Sequence, residues 1–192
     1  MRIISGTYGK RFIEAPKGLD VRPTTDRVRE ALFSSLYSLL VSFDNLNILD
    51  AFAGTGSLGI EALSRGAKSC VFCERDRHVL KNLEKNLQSL KVPSSSDKIL
   101  QCDILQNPGA ASSQAYFNLI FLDPPYKMGC EKVLELCKFI RETGLVADKN
   151  YFIYEHSSTT PYDEIIDTIK NNSFELIKSN KIASTSYEIF SA

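Results

Sequence analysis

Asp50-Ala51-Phe52-Ala53-Gly54-Thr55-Gly56-Ser57-Leu58-Gly59 is the stretch on which the fold turns. Residues 46–50 form a short apolar run of strand length, and 57–65 read as a helix stopped by Gly66. A strand, a G-x-G-x-x-G turn and a helix in that order open a βαβ unit. The glycines let the backbone turn sharply and approach a ligand, and the first N–H groups of the helix lack intrahelical partners. Downstream, a second strand over 68–74 ends in Glu74, twenty residues after Gly54. A helix over 76–90 puts Val79, Leu80, Leu83, Leu87 and Leu90 on one side. Further strands are expected over 98–102, 117–122 and 151–155, with helices over 131–143 and 162–170. Two closing strands, over 174–178 and 186–190, are joined by a connection too short for a parallel crossover, so the sheet ends antiparallel. Alternating apolar strands and amphipathic helices give an α/β fold, a mostly parallel sheet covered on both faces.

Upstream, Thr24, Thr25 and Asp26 are placed to cap a helix over 27–40. Residues 1–20 read as a small β-element turning at Gly6 and Gly9. The expected organisation is a β-hairpin extension over 1–24 and one main domain over 25–192. The 192 residues suffice for such a core without disulfides. Net charge is zero, 23 basic against 23 acidic side chains, which excludes a protein that coats nucleic acid by bulk charge. That zero is uneven: residues 1–30 carry seven basic and four acidic groups, +3, leaving −3 for the remainder.

Five cysteines, no apolar run of membrane length and no apolar leader at Met1 point to a reducing cytoplasm with free thiols. Cys70 and Cys73 spell C-x-x-C, but on a strand residues three apart face opposite ways, so both are read as packing thiols. Cys130 and Cys137, seven apart on a helix, are read the same way. His78 and His156 have no ligand-spaced partner, so no metal is expected.

Glu74 is placed to accept hydrogen bonds from two ribose hydroxyls, which suits nicotinamide enzymes and other nucleoside binders alike. Asp50 beside the glycine loop favours a cationic ligand over a pyrophosphate, and S-adenosylmethionine carries an ammonium and a sulfonium. Asp103, in Gln101-Cys102-Asp103-Ile104, fits either an acceptor for an adenine amino group or a turn cap. Phe117-Asn118-Leu119-Ile120-Phe121-Leu122 runs straight into Asp123-Pro124-Pro125-Tyr126. Two prolines stiffen the chain and remove two N–H donors, leaving the Asp123 carboxylate and the Pro124 carbonyl as fixed acceptors beside the Tyr126 ring. A planar amine-bearing base stacked on that ring would give both amino hydrogens to those oxygens. The acceptors favour a pyramidal nitrogen and stabilise the positive charge that grows on it during methyl transfer.

Together Asp-x-Phe-x-Gly-x-Gly, Glu74, Asp103 and Asp-Pro-Pro-Tyr resemble the class I S-adenosylmethionine-dependent amino-methyltransferases. The stretches Arg2-Ile3-Ile4-Ser5-Gly6, Gly9-Lys10-Arg11 and Arg22-Pro23-Thr24-Thr25-Asp26-Arg27-Val28-Arg29-Glu30-Ala31-Leu32-Phe33 resemble the RsmD family, over the whole chain. That resemblance implies a Rossmann-like fold with strand order 3-2-1-4-5-7-6, strand 7 antiparallel. It also implies methylation of the N2 amine of one guanine in bacterial 16S ribosomal RNA, with an assembled or partly assembled small subunit as partner. The cofactor candidates are Asp50, Phe52, Gly54, Gly56, Glu74, Asp103 and Ile104, and the catalytic candidates Asp123, Pro124 and Tyr126. Arg22, Thr24, Arg27, Arg29, Lys127 and Lys181 are the RNA-contact candidates, though Arg22, Arg27 and Arg29 also have Asp20, Asp26 and Glu30 nearby to pair with. Glu155 is expected near the pocket, and a monomer is expected. The family often carries Tyr-Gly before its last strand, and Lys181-Ile182-Ala183-Ser184-Thr185-Ser186-Tyr187 lacks that glycine. The competing readings are an adenine-N6 methyltransferase acting on DNA or RNA, a nicotinamide-dependent oxidoreductase, and a non-catalytic RNA-binding or assembly protein.

Overall fold

The computed structural model describes residues 1–15, 25–112 and 116–192. In chain order the elements are α1 (Asp26–Leu40), β1 (Asn47–Asp50), α2 (Ser57–Ser64), β2 (Ser69–Glu74), α3 (Arg77–Leu90) and β3 (Asp97–Gln101). There follow β4 (Phe117–Leu122), α4 (Cys130–Glu142), β5 (Val146–Ser157), α5 (Tyr162–Asn171), β6 (Glu175–Ile182) and β7 (Thr185–Ser191). One sheet holds all seven strands in the order β3-β2-β1-β4-β5-β7-β6. β1 to β5 pair in parallel, and β7 is antiparallel to both β5 and β6. This is the order the family resemblance implied.

The strands alternate between two apolar layers, as buried parallel strands must. Ile48, Cys70, Phe72, Leu119 and Phe121 face α1, α2 and α3, whereas Leu49, Val71, Cys73, Ile120 and Leu122 face α4 and α5. Cys70 and Cys73 therefore lie in opposite layers, both buried and free, and so do not form a metal or redox pair. Burial raises both thiols well above their ordinary range.

Thr25 Oγ1 accepts the Val28 N–H at 3.3 Å and starts α1, and Asp76 accepts the His78 and Val79 N–H groups and starts α3. At the amino end of the chain the expected strand pair reduces to one bridge, between Arg2 and Phe12. The reason is that α2 takes the backbone donors that a third strand would otherwise meet. Ile4 and Ser5 N–H donate to the Glu61 carboxylate, and Thr7 and Tyr8 N–H donate to the Ser64 carbonyl and hydroxyl. Ile3 and Ile13 are inserted into the α1–α3 layer. β5, expected over five residues, extends from Val146 to Ser157, because it pairs with β4 at its start and with β7 at its end. Among the described residues no helix is long and apolar enough to cross a membrane.

Candidate active site

The carboxyl ends of β1, β2, β3 and β4 open onto a cleft of about 660 Å³, the position at which open α/β sheets bind ligands. Phe52 to Thr55 and Ser57 of the glycine loop, Glu74, Asp103 and Asp123-Pro124-Pro125-Tyr126 all line it, whereas Gly56 does not. Gly56 sits at φ +81°, and a Cβ there would lie 2.3 Å from Leu83 Cδ1; one on Gly59 would lie 2.4 Å from the Phe72 ring. The loop therefore needs glycine for its turn and for the close packing of α2 on β2.

Glu74 is held from both sides. Its Oε2 accepts the Gly54 N–H at 3.0 Å and its Oε1 the Asp76 N–H at 2.7 Å. Each oxygen retains acceptor capacity beyond that one bond, and the residue lines the cleft. Asp103 caps its turn, Oδ1 accepting the Leu105 N–H at 3.1 Å, and the residue lines the cleft with Ile104. Arg75, unmarked in the sequence reading, reaches Asp103 Oδ2 at 3.4 Å from the cleft wall.

Asp50 occupies a different place from the one expected. Phe52, Ala53 and Gly54 line the cleft, but Asp50 lies beneath them, 1% exposed, with Oδ2 accepting the Gly59 N–H at 3.0 Å. It joins the strand to the helix. Burial pushes its carboxyl up to about 7, the Gly59 N–H opposes this, and the Asp123 and Glu74 carboxylates push further the same way. Glu74, Asp76, Asp103 and Asp123 line the cleft together with Arg75, which pairs with Asp103, and Lys127.

On the other wall Pro124 is buried, whereas Tyr126 is 39% exposed. The Met128 N–H closes the turn onto the Pro125 carbonyl at 2.8 Å. The Tyr126 hydroxyl lies 3.1 Å from Thr185 Oγ1, at the start of β7. Thr185 escaped the sequence reading because it lies 59 residues from Tyr126 and belongs to no motif.

The basic candidates divide. Arg27 and Lys127 are exposed, and Lys127 lines the cleft. Lys181 is exposed at the β6 end, with Nζ 3.4 Å from the Ser158 carbonyl. Arg29 is a correction: it is 0% exposed and cannot meet a phosphate. Its Nη2 donates to the Arg2 carbonyl and to Asp26, each at 2.6 Å, tying α1 to the first residues of the chain. Burial acts to raise the Asp26 carboxyl, but Arg29 and then Arg2 draw it below its ordinary value. The helical period contained this signal, since 29 falls on the inward stripe with Leu32, Phe33 and Leu36. Arg22 and Thr24 lie outside the described residues. Glu155, expected near the pocket, is instead buried opposite Tyr187 in the β5–β7 ladder. His156 is buried beside it in sequence, with Nε2 against the Glu188 carboxylate and Nδ1 2.8 Å from the Ser157 carbonyl.

Comparison with known proteins agrees with this geometry. Residues 1–191 match the family described as conserved hypothetical protein 95. The chain is 36% identical over 149 residues to the ribosomal RNA small subunit methyltransferase D of Escherichia coli, covering 78% of this chain and 71% of that one. It is 35% identical over 166 residues to a Bacillus subtilis protein named as a candidate rRNA methyltransferase, YlbH, covering 86% and 88%. A solved Escherichia coli structure described as a candidate methyltransferase superposes with a TM-score of 0.76 at 29% identity, covering 100% of this chain and 97% of that one. With the glycine loop, the paired acids and Asp-Pro-Pro-Tyr gathered at one sheet edge, the chain belongs to the RsmD family of class I methyltransferases.

Proposed function

We propose that the protein methylates the exocyclic N2 amine of a guanine in small-subunit ribosomal RNA, using S-adenosylmethionine. The observation that carries this reading is the shared cleft. The Asp123 to Tyr126 wall opens onto the same space as the Gly54 loop, Glu74 and Asp103. A nucleoside cofactor and a base amine would meet there.

The residues fit the cofactor chemically. It brings a sulfonium and an ammonium into a cleft with acids around it, and it has no phosphate to oppose them. When bound, S-adenosylmethionine supplies an electrophilic methyl group. Glu74, held by Gly54 and Asp76, accepts the ribose hydroxyls, and Asp103 accepts an adenine amino hydrogen. Phe52 and Ile104 furnish apolar wall for the adenine. On the opposite wall the Asp123 carboxylate and the Pro124 carbonyl accept the two hydrogens of the guanine amine, while Tyr126 stacks on the ring. These acceptors stabilise the positive charge that develops on nitrogen and aim its lone pair. The guanine must leave its stack to reach them. Exposed Arg27, Lys127 and Lys181 supply phosphate contacts around that entry.

The relatives' names favour RNA over DNA, a choice that the tetrapeptide by itself leaves open. Transfer of tritiated methyl from labelled cofactor to small ribosomal subunits, with duplex DNA in parallel, tests the reading. Label is expected in the RNA alone; label in the DNA would move the protein to the adenine-N6 class.

A further inference from the structure

Asp123-Pro124-Pro125 is stiff, but a tyrosine ring keeps two rotatable bonds beyond that backbone. A ring that stacks a base and also aligns its amine must be fixed in plane, or the nitrogen wanders from its acceptors. The structure supplies the fixing group from a distant part of the chain. Thr185 Oγ1 lies 3.1 Å from the Tyr126 hydroxyl, and Thr185 is 6% exposed.

Thr185 is itself well anchored. Its backbone pairs opposite Ser157 of β5 on one side and Ile182 of β6 on the other. The β6–β7 turn, with Ala183 at φ +55°, is tied to the loop after β5, where the Ser158 N–H donates to the Ser184 carbonyl at 3.0 Å. Lys181 Nζ reaches the Ser158 carbonyl from the same turn. A β-branched side chain on such a support holds its hydroxyl in one rotamer. The loop after β5 and the β6–β7 turn thereby brace the one side chain that meets the Tyr126 hydroxyl.

We propose that Thr185 is a positioning residue for methyl transfer. Its hydroxyl locks the plane of Tyr126 and so sets the angle at which the target base presents its amine to Asp123 and Pro124. The proposal rests on the base-methylating reading above. It makes the β6–β7 turn part of the substrate side although it touches no reacting atom.

The test is a double-mutant cycle on the full chain with Thr185→Val, Tyr126→Phe and the pair, read by urea midpoint and by single-turnover methylation of small subunits. Each single variant is expected to lower the single-turnover rate about tenfold, the size of effect one lost orienting hydrogen bond produces. S-adenosylmethionine affinity should stay within about twofold of wild type. The double variant should be no slower than either single one, and Thr185→Ser should recover most of the lost rate. Non-additive midpoints would show the bond in solution, independently of substrate. Additive midpoints, or a Thr185→Val enzyme as fast as wild type, would overturn the positioning role. A wild-type protein that transfers no methyl to small subunits while the midpoints stay coupled would instead overturn the function and leave the Tyr126–Thr185 bond standing.

Discussion

The two walls of the cleft are built by different means. On the cofactor side each acid is held by backbone N–H groups of the first βαβ units: Glu74 by Asp76 and by Gly54 twenty residues away, Asp103 by Leu105, and, beneath the cleft, Asp50 by Gly59. On the substrate wall the partner is remote: the Tyr126 hydroxyl meets Thr185, 59 residues on. A local wall is preorganised as soon as its βαβ unit folds. A wall assembled from the end of β4 and the β6–β7 turn is complete only when β7 has paired between β5 and β6. On the proposed function, the locally built half would bind the cofactor and the composite half would face the RNA.

Substitutions should separate the halves. Asp123→Ala removes an acceptor that works on developing charge, so kcat should fall by about 10²–10³-fold. Cofactor affinity measured by calorimetry should stay within about threefold, since Asp123 is on the other wall. An Asp123→Ala enzyme with near-normal turnover would dissolve the distinction between the walls. Glu74→Ala should do the converse. It should weaken cofactor binding by roughly 10- to 100-fold through two lost charge-assisted hydrogen bonds, with RNA affinity in filter binding unchanged.

Arg29 and Arg27 sharpen the same contrast within one helix. Arg29→Ala leaves Asp26 and the Arg2 carbonyl without their buried partner and should cost about 2 kcal/mol in urea unfolding. Arg27→Ala should leave the unfolding midpoint alone, weaken RNA binding evenly across sequences, and reduce the salt slope by about one. Equal loss of stability in both would mean that Arg27 is structural too.

The smallest effect concerns Asp50. Its carboxyl is raised from 3.8 to about 7 in the folded protein, so the native state binds a proton that the unfolded chain releases. Its contribution to stability therefore declines as pH rises from about 4 to about 7 and is level above that. A cationic cofactor favours the ionised form, so affinity for S-adenosylmethionine should rise several-fold between about pH 6 and pH 8. Asp50→Asn should flatten both slopes, in thermal melts and in calorimetry. A pH-independent wild type would show that Asp50 is ionised throughout.

The contrast between the walls also explains what was legible in the sequence. The loop, Glu74 and Asp103 were readable because strand–turn–helix spacing brings them together with no help from the rest of the chain. Asp50 lies one layer below its expected place: a strand-end acid next to a glycine loop reads as a ligand contact. Only the packed helix shows its carboxylate turned onto the Gly59 N–H. Arg29 sits in a charged cluster that reads as surface, but helical phase places it inward with Leu32, Phe33 and Leu36. Thr185 had no sequence signal, since its partner is fixed by the return of β7 between β5 and β6. That return also gives the turn without the family's glycine a role, because the turn carries Thr185 to Tyr126.

The most direct measurement is the identity of the methylated atom. Small subunits lacking the modification would be incubated with the purified protein and S-adenosylmethionine, and the RNA digested to nucleosides and mapped by mass spectrometry. The expected product is N2-methylguanosine at a single position, absent when Asp123→Ala replaces the wild type. Methyl groups on adenine N6, or scattered over many guanines, would contradict a wall shaped to orient one guanine amine.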